Sequence, residues 1–303
     1  MTSKHSIAGS RGEVAPYLGV GGSALAAVLW GFGGIFATLC TAPGLVLTFY
    51  RCWLGAGLLV AMLYLTGRRL TWSALRTSLL GGVCLAGDMA LFFSSVKLTS
   101  VVVATVIGAF QPALVFIIAR SMFGERLPPR DGWLVMLAIA GVTVTVFGSG
   151  FHGRHQVAGD VLAVGSLLCW TAYWLVSKKV RQHHDALEYT AGLTIVAAVV
   201  MTPVVLLSGQ SLGRVHAGDW LWISLLAVVP GSGHLVMNWA HRYVDASVSS
   251  AIGNLNPLVA AVAAIPILGQ SLTSVQWAGV IAGLGAIAVI ALDHRGALGE
   301  VPR

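Results

Sequence analysis

Charged residues are scarce in this sequence: only 10% of its 303 residues are Asp, Glu, Lys or Arg. A soluble domain of ordinary composition carries roughly a quarter charged residues, which cover its water-facing surface. A chain that is 56% hydrophobic cannot build such a surface, and the bilayer is the solvent that requires none. The net charge of +7 does not indicate nucleic-acid binding, because the basic residues stand in short clusters between apolar runs. The composition therefore predicts an integral membrane protein.

The sequence also lacks the motifs of a metal site, a cofactor site or a hydrolytic enzyme. Its four cysteines form no Cys-x-x-Cys pair and are expected to be small buried hydrophobes. No P-loop, dinucleotide-binding fingerprint or Gly-x-Ser-x-Gly elbow occurs. No metal, cofactor or enzymatic activity is therefore predicted.

Ten apolar runs are each long enough to cross a bilayer, which takes roughly 20 helical residues. Because the connections are short, helices that follow one another in sequence are expected to pack as antiparallel neighbours. Residues 1–16 and 294–303 are predicted to be tails, while residues 17–150 and 159–293 hold five spans each. The predicted spans, numbered one to ten, are Tyr17–Leu39, Gly44–Thr66, Thr77–Ser95, Ser100–Phe123, Gly132–Ser149, Gly159–Ser177, Ala186–Ser208, Trp220–His241, Ala246–Leu268 and Val275–Leu292.

Lys and Arg are distributed unequally between the two sides of the membrane. If the N-terminus is cytoplasmic, 14 of these residues lie on the cytoplasmic side and 3 on the other. The positive-inside rule then predicts an even number of spans in a bacterial inner membrane, with both termini in the cytoplasm. Arg51 lies inside the second span and is counted on neither side, and we expect it to be structural and to extend to the outer interface. The basic cluster from Lys178 to His184 is expected to be a solvated cytoplasmic loop.

The second half of the chain repeats the first at a distance of 145 residues. Since this period covers five spans, an odd number, the two copies must cross the membrane in opposite directions. Inverted repeats are typical of transporters, which bind substrate near the membrane midplane, at the interface of the repeats. The pairs with the greatest weight are Lys97 and Arg242, Gly108 and Gly253, Pro112 and Pro257, and Gly124 and Gly269.

Two motifs resemble the EamA domain of the drug/metabolite transporter superfamily: Phe49-Tyr50-Arg51, and Gly108-x3-Pro112 followed by Gly124-Glu125-Arg126-Leu127. The tandem resemblance implies an all-helical, exporter-like fold of ten spans around a central cavity, lined mainly by spans one, three, four, six, eight and nine. Within the superfamily, the chain looks most like bacterial amino-acid exporters, including the aromatic amino acid exporters of the YddG type. The second copy departs from the pattern at Gln270, where a Glu is usual.

Polar and aromatic residues inside the spans are the candidates for the cavity wall, because an ionisable group at mid-bilayer costs roughly 2.5–3.5 kcal/mol. Asp88 is the only carboxylate deep in a span, and His234 lies on the inverted counterpart of that span. Contact with a substrate amino group and proton coupling are the hypotheses for these two residues, and structural pairing is the alternative. The predicted cavity residues are Trp30, Asp88, Gln111, Trp170, Tyr173, His234, Asn238, Trp239, Asn254 and Asn256.

Spans four and nine share a polar residue followed by a proline, at Pro112 and Pro257. A proline leaves a backbone carbonyl without its helical partner, and in lipid this carbonyl must find protein or water. We therefore place both prolines inside the bundle and predict hinges there, with a kink that serves only packing as the alternative.

These features predict a secondary transporter that exports a small metabolite by alternating access. An aromatic or other neutral amino acid is the favoured substrate, and this choice rests on the family resemblance. The alternatives are a carrier for sugars, nucleotide sugars or drugs, an intramembrane enzyme that uses Asp88 and His234, and a scaffold protein. An anionic substrate would favour basic residues at the midplane, where the sequence shows none. The expected partners are the substrate and membrane lipid, with no obligate protein partner and with a dimer left open.

Overall fold

The computed structural model of this chain describes residues 8–98, 101–125, 128–147, 157–213, 215–269 and 271–294. All regular structure in these ranges is helical. The helices are α1 (Ala8–Leu39), α2 (Gly44–Leu65), α3 (Trp72–Leu98), α4 (Val101–Gly108), α5 (Gln111–Phe123), α6 (Pro129–Phe147), α7 (Val157–Arg181), α8 (Ala186–Leu207), α9 (Asp219–Ala240), α10 (Ala246–Gly253), α11 (Leu255–Leu268) and α12 (Ser274–Asp293).

Ten candidate membrane spans occur in the described ranges, which confirms the predicted all-helical fold. The first candidate span is Tyr17–Leu39, as predicted, and its helix α1 begins earlier, at Ala8. Other predictions fall outside the described residues: residues 1–7 and 295–303 of the tails, the motif positions Arg126, Leu127 and Gln270, and the charges Arg154 and Arg214.

Spans four and nine are each broken into two helices, close to the repeated prolines. Between α4 and α5 the amide of Phe110 donates to the Ile107 carbonyl, and between α10 and α11 the amide of Asn254 donates to Ala251, at 3.2 Å in both cases. Such hydrogen bonds between residues three apart are of the 3-10 type, and they tighten the chain where the α-helical bonds between residues four apart are interrupted. Pro112 has no amide proton to restore that ladder. The breaks therefore recur at the same place in both repeats.

The most extensive packing joins the two repeats and does not follow the sequence order of the helices. α1 packs along α9 and α11, while α7 packs along α3. The contact of α1 with α9 and the contact of α7 with α3 are equivalent by the inverted repeat. In the second repeat α7 is the counterpart of α1, and α9 is the counterpart of α3. Helices that follow one another, such as α2 and α3 or α8 and α9, are in contact as expected, but these contacts are less extensive than those between the repeats. The two repeats therefore interlock.

Small residues allow close approach at two places: between α6 and α12, and between α1 and the turn after α9. A Cβ atom on Gly141 of α6 would lie 2.6 Å from the Gly283 amide nitrogen of α12. A Cβ atom on Gly19 of α1 would lie 2.8 Å from the carbonyl carbon of Tyr243. Membrane helices use small residues in this way, because close backbone approach supplies the packing energy that lipid cannot. These glycines are therefore fixed by helix contact.

Two turns outside the membrane spans explain why Gly124 and Gly269 repeat. Each follows the last residue of its helix, α5 or α11, with φ of 71° and 65°. A glycine reaches this left-handed conformation at little steric cost, and it commonly ends a helix. The repeated glycine therefore ends the corresponding helix in each repeat.

The bundle has two distinct ends. At one end α2, α5, α7, α9 and α12 finish, and Glu125 and Asp185 there bind Ala246 and Arg68. We call this the basic end, because the described part of the chain places nine Lys and Arg residues near it: Arg68, Arg69, Arg76, Arg120, Arg130, Lys178, Lys179, Arg181 and Arg242. Thr41 and Asp219 meet at the opposite end, where the Thr41 amide donates to the carboxylate at 2.7 Å.

Candidate functional site

Five rings from three helices form a cluster in the middle of the bundle, which we call the central aromatic cluster: Trp30, Trp170, Tyr173, Trp174 and His234. The ring centroid of Trp30 on α1 lies 5.2 Å from that of Trp170 on α7 and 5.2 Å from that of His234 on α9. The hydroxyl of Tyr173 lies 3.2 Å from Nδ1 of His234. The structure thus brings together four residues that the sequence singled out separately, on spans one, six and eight.

The local sequence explains the geometry of this cluster. Trp170, Tyr173 and Trp174 are three and four residues apart, so they share one face of α7. Trp174 was not among the predicted cavity residues, although its spacing from Trp170 is a signal that could have identified it. Trp30 enters the cluster from the equivalent position of the first repeat, and its indole nitrogen is buried without a hydrogen-bond partner among the described residues.

Asp88 lies on α3, beside the cluster. The hydroxyl of Ser166 donates to one of its carboxylate oxygens at 2.6 Å. The other oxygen has no partner in the described part of the chain, and Asp88 is only half-buried despite its place in the middle of the bundle. Trp170 is half-buried as well. Both residues therefore keep some accessible surface within the bundle, although α3 and α7 pack closely beside them.

Arg51 on α2 is half-buried, and it lies near enough for its charge to act on both Asp88 and His234. It is therefore a candidate neighbour of the central aromatic cluster that the sequence analysis did not include. Its place in the Phe49-Tyr50-Arg51 motif was the one signal in the sequence. The expectation that its side chain extends to the outer interface stays a prediction.

The two broken spans meet at the centre of the molecule. The side-chain amide of Asn254 donates to the Ala109 carbonyl at 3.2 Å. These residues are 145 positions apart, so each occupies the same position in its own repeat. Gln111 lies beside the first break, where it is buried and its side-chain nitrogen has no partner among the described residues. Asn256, its repeat equivalent, is half-buried against α1.

The remaining two candidates lie apart from the cluster. Trp239 packs against Tyr243, with ring centroids 5.0 Å apart, and its ring covers Gly22 of α1. Asn238 is fully buried toward the basic end, where its side-chain nitrogen donates to the Thr190 hydroxyl at 3.0 Å. The helix face shared by His234 and Asn238 therefore leads from the centre toward the basic end.

Lys178 and Arg181 are buried in α7, and the prediction that they stand in a solvated loop is wrong. The Lys178 ammonium donates to the carbonyls of His241 and Val244 at 2.7 and 2.6 Å. Arg181 donates through Nε to the Asn238 carbonyl at 2.6 Å. Cations at the carbonyl end of a helix complement its dipole. Their spacing of four and seven residues from Trp174 is the sequence signal that they share its face.

Glu125 provides the opposite charge at the next helix. Its carboxylate accepts hydrogen bonds from the amides of Ala246 and Ser247 at 2.8 and 3.0 Å, and from the Ser247 hydroxyl at 2.7 Å. It thereby caps the N-terminus of α10 and joins the first repeat to the second. Burial, together with the like charge of Glu125, raises the pKa of Asp245. The positive charge of Lys178 acts in the opposite direction but does not cancel this shift.

Comparison with known proteins gives a consistent result along the chain. The profile of the EamA-like transporter family matches residues 17–147 and again residues 157–292. An uncharacterised transporter of Bacillus subtilis, YwfM, is 24% identical over 89% of this chain and 93% of its own length. The threonine/homoserine exporter RhtA of Escherichia coli K12 is 26% identical over 88% of this chain and 84% of its own. A solved structure, described only as a crystal structure of a protein, superposes with a TM-score of 0.79 at 20% identity, over 93% of this chain and 99% of that one.

Proposed function

This chain belongs to the EamA-like transporter family, within the drug/metabolite transporter superfamily, and we propose that it exports neutral amino acids by alternating access. Transport is common to the family, whereas the substrate, direction and coupling are our proposals. The central aromatic cluster, with Arg51 and Asp88 beside it, is the proposed binding site.

The observation that carries the substrate proposal is a pair of opposite charges in an otherwise apolar interior. An amino acid at neutral pH carries one ammonium and one carboxylate group. The unpartnered oxygen of Asp88 accepts the ammonium, while the planar guanidinium of Arg51 binds the carboxylate. A sugar would leave both charges without a partner, which is costly inside a membrane.

The aromatic rings receive the substrate side chain. Trp30 and Trp170 offer apolar faces to an aliphatic or aromatic group, and aromatic pairs gain about 0.5–1.5 kcal/mol beyond area burial. The name of the relative RhtA, a threonine/homoserine exporter, supports amino acids as the class. A preference for aromatic substrates rests on the cluster alone.

Alternating access requires points at which the bundle bends. We assign this role to the breaks near Pro112 and Pro257, because both lie where the ladder of backbone hydrogen bonds is interrupted. The two repeats then rock about the Asn254–Ala109 contact at the centre.

Proton coupling is proposed for Asp88 and His234. The charged and titratable groups that act on them come from two neighbouring helices: Arg51 on α2, and Cys169 and Tyr173 on α7. A proton on Asp88 would compete with a substrate ammonium for the same carboxylate, which is the exchange that a proton antiporter needs.

The orientation follows from charge. The basic end carries most of the Lys and Arg residues in the described part of the chain, and we propose that it faces the cytoplasm of a bacterial inner membrane, with both termini on that side. Export then begins at the basic end.

Counterflow in proteoliposomes tests the substrate class. Vesicles loaded with unlabelled threonine, phenylalanine, glucose or a nucleotide sugar are diluted into the labelled form of the same compound. We expect accumulation of the amino acids alone. Flux of the sugars without any amino acid would overturn the proposal.

A further inference from the structure

We infer that the basic end holds a second binding site for an amino acid, an intake site formed by Arg181, Asn238 and His241, with Arg181 and His241 for the carboxylate and Asn238 for the ammonium. This inference rests on the proposed function, because it names where the exported amino acid first binds. The site lies one to two helical turns from His234, along the same face of α9.

Unsatisfied polar atoms are the first observation. Nη1 of Arg181, Oδ1 of Asn238 and both ring nitrogens of His241 are enclosed and have no hydrogen-bond partner in the described ranges. The three residues are 2%, 0% and 0% exposed. A buried polar atom left unpaired is destabilising and calls for an explanation. Four such atoms on one face, where α7 meets α9, are explained by a ligand that occupies this place in another state of the transport cycle.

The charge of the site selects an anionic group. Lys178 and Arg181 both act electrostatically on His241. Their own hydrogen bonds go to backbone carbonyls. The carboxylates of Asp245 and Glu125 act on Lys178 from a distance, and that of Asp185 acts on Arg181, but none of them forms an ion pair with either cation in the described structure. A carboxylate would pair with the free guanidinium nitrogen and with an imidazole N–H.

The amide oxygen of Asn238 adds the other half of the specificity. It accepts no hydrogen bond of good geometry in the described ranges, while the nitrogen of the same amide donates to the Thr190 hydroxyl and the Tyr173 hydroxyl lies near the group. An ammonium group is a donor without an acceptor. The three side chains therefore match both ends of a zwitterion.

An aromatic path connects this site with the central one. The Trp174 ring lies 5.0 Å from that of His241 and 5.6 Å from that of Trp170. Its indole nitrogen is fixed by a bond to the Ala246 carbonyl. Trp174 is therefore the side chain that would have to rotate for an amino acid to pass from the intake site to Trp170. In this proposal the substrate binds at the two sites in succession.

Transport measured separately from each face tests the intake site. Right-side-out and inside-out membrane vesicles containing the full chain expose opposite faces, and the half-saturating concentration of threonine is determined in both. His241→Phe keeps a ring beside Trp174 and removes both nitrogens. Asn238→Asp keeps the shape of the side chain and places a carboxylate beside Arg181, where it competes with the ligand. His183→Phe is the matched control, since His183 is exposed at the same end.

We expect both variants to raise the half-saturating concentration at the basic face by about tenfold, the effect of losing one bond to a charged group. The value at the opposite face should stay within about twofold of wild type, a change too small to represent a lost hydrogen bond. The control should match wild type at both faces.

Equal values for wild type and both variants at the basic face would overturn the intake site, and would indicate that the orphaned atoms bind only water. Equal shifts at both faces would overturn it too, because they indicate a general structural defect. If His241→Phe does not fold, Asn238→Asp alone decides. Absence of threonine flux in wild-type vesicles would instead contradict the proposed function, and the intake site would fail with it.

Discussion

Asp88 is the residue on which the proposed chemistry depends most. In Asp88→Asn the side chain keeps its shape and can still accept from Ser166, but it loses the negative charge that would bind an ammonium group. Bonds to charged groups contribute about 1.5–3 kcal/mol, so transport efficiency for threonine should fall by roughly 10- to 100-fold. Counterflow kinetics in proteoliposomes measure this loss.

Ser166→Ala is the matched control for that prediction. It removes the 2.6 Å hydrogen bond to Asp88 without changing the charge. Its effect should be several times smaller than that of Asp88→Asn. An Asp88→Asn protein with wild-type kinetics would remove this carboxylate from the binding site and from proton coupling.

Asp245 gives a prediction about stability and pH. Its pKa is raised in the folded protein by burial and by Glu125. The folded state therefore favours the protonated form, and a penalty appears as the pH rises from the unfolded pKa through the raised folded value. Asp245→Asn should raise the melting temperature in detergent more at about pH 7 than near pH 4, the range in which a free Asp titrates. An equal effect at both pH values would contradict the assignment.

At the scale of single residues, the sequence showed which polar residues lie inside the bundle more reliably than it showed what those residues contact. Asp88 and His234 were recognisable because a charge inside an apolar run needs a reason. Lys178 and Arg181 were misassigned because position near a span end does not reveal which side of the helix faces the bundle. For Trp239 the cavity role stays a prediction, and the structure shows that its ring packs on Gly22.

Among the helices, the contact between the two broken spans is the most specific element of the interior. Asn254→Ala would leave the Ala109 carbonyl without its donor, at a cost of about 1–3 kcal/mol for a buried group. We expect a lower melting temperature and slower counterflow. Asn256→Ala is the control, because no side-chain bond of Asn256 occurs in the described structure. Equal behaviour of the two variants would show that the central contact is dispensable.

The interface of α6 and α12 gives a prediction that depends only on sterics. Gly141→Ala would place a Cβ atom 2.6 Å from the backbone of α12, which cannot yield as a side chain could. The variant should lose stability by about 1–3 kcal/mol, measured as a lower melting temperature. Gly285→Ala meets no atom within 4 Å and should be neutral or stabilising. A stable Gly141→Ala protein would contradict the close packing of these helices.

At this scale the sequence predicted the locations of the breaks but not their partners. Pro112 and Pro257 predict interrupted helices, because proline has no backbone N–H to donate. That the breaks touch through Asn254 and Ala109 depends on how the repeats interlock, and no local pattern encodes it.

For the molecule as a whole, the 145-residue register and the charge bias carried the prediction of ten spans in two inverted repeats. Length and hydropathy define spans well because the bilayer fixes both. The principal contacts, α1 with α9 and α3 with α7, join spans from different repeats. They could not be predicted from short connections, which favour sequence neighbours.

The interlocked arrangement makes both repeats contribute to the proposed binding site. Arg51, Asp88 and Trp30 come from the first repeat, while Trp170 and His234 come from the second. Movement of either repeat would therefore alter the proposed site, as alternating access requires.

Counterflow of threonine beside threonine methyl ester and N-acetylthreonine tests the central claim most directly. The ester lacks the carboxylate for Arg51, and the acetyl compound lacks the ammonium for Asp88. Recognition of a zwitterion by Arg51 and Asp88 predicts rapid exchange of threonine and at least about tenfold slower exchange of each blocked compound, as expected for one lost charged hydrogen bond. Equal exchange of all three compounds would contradict it.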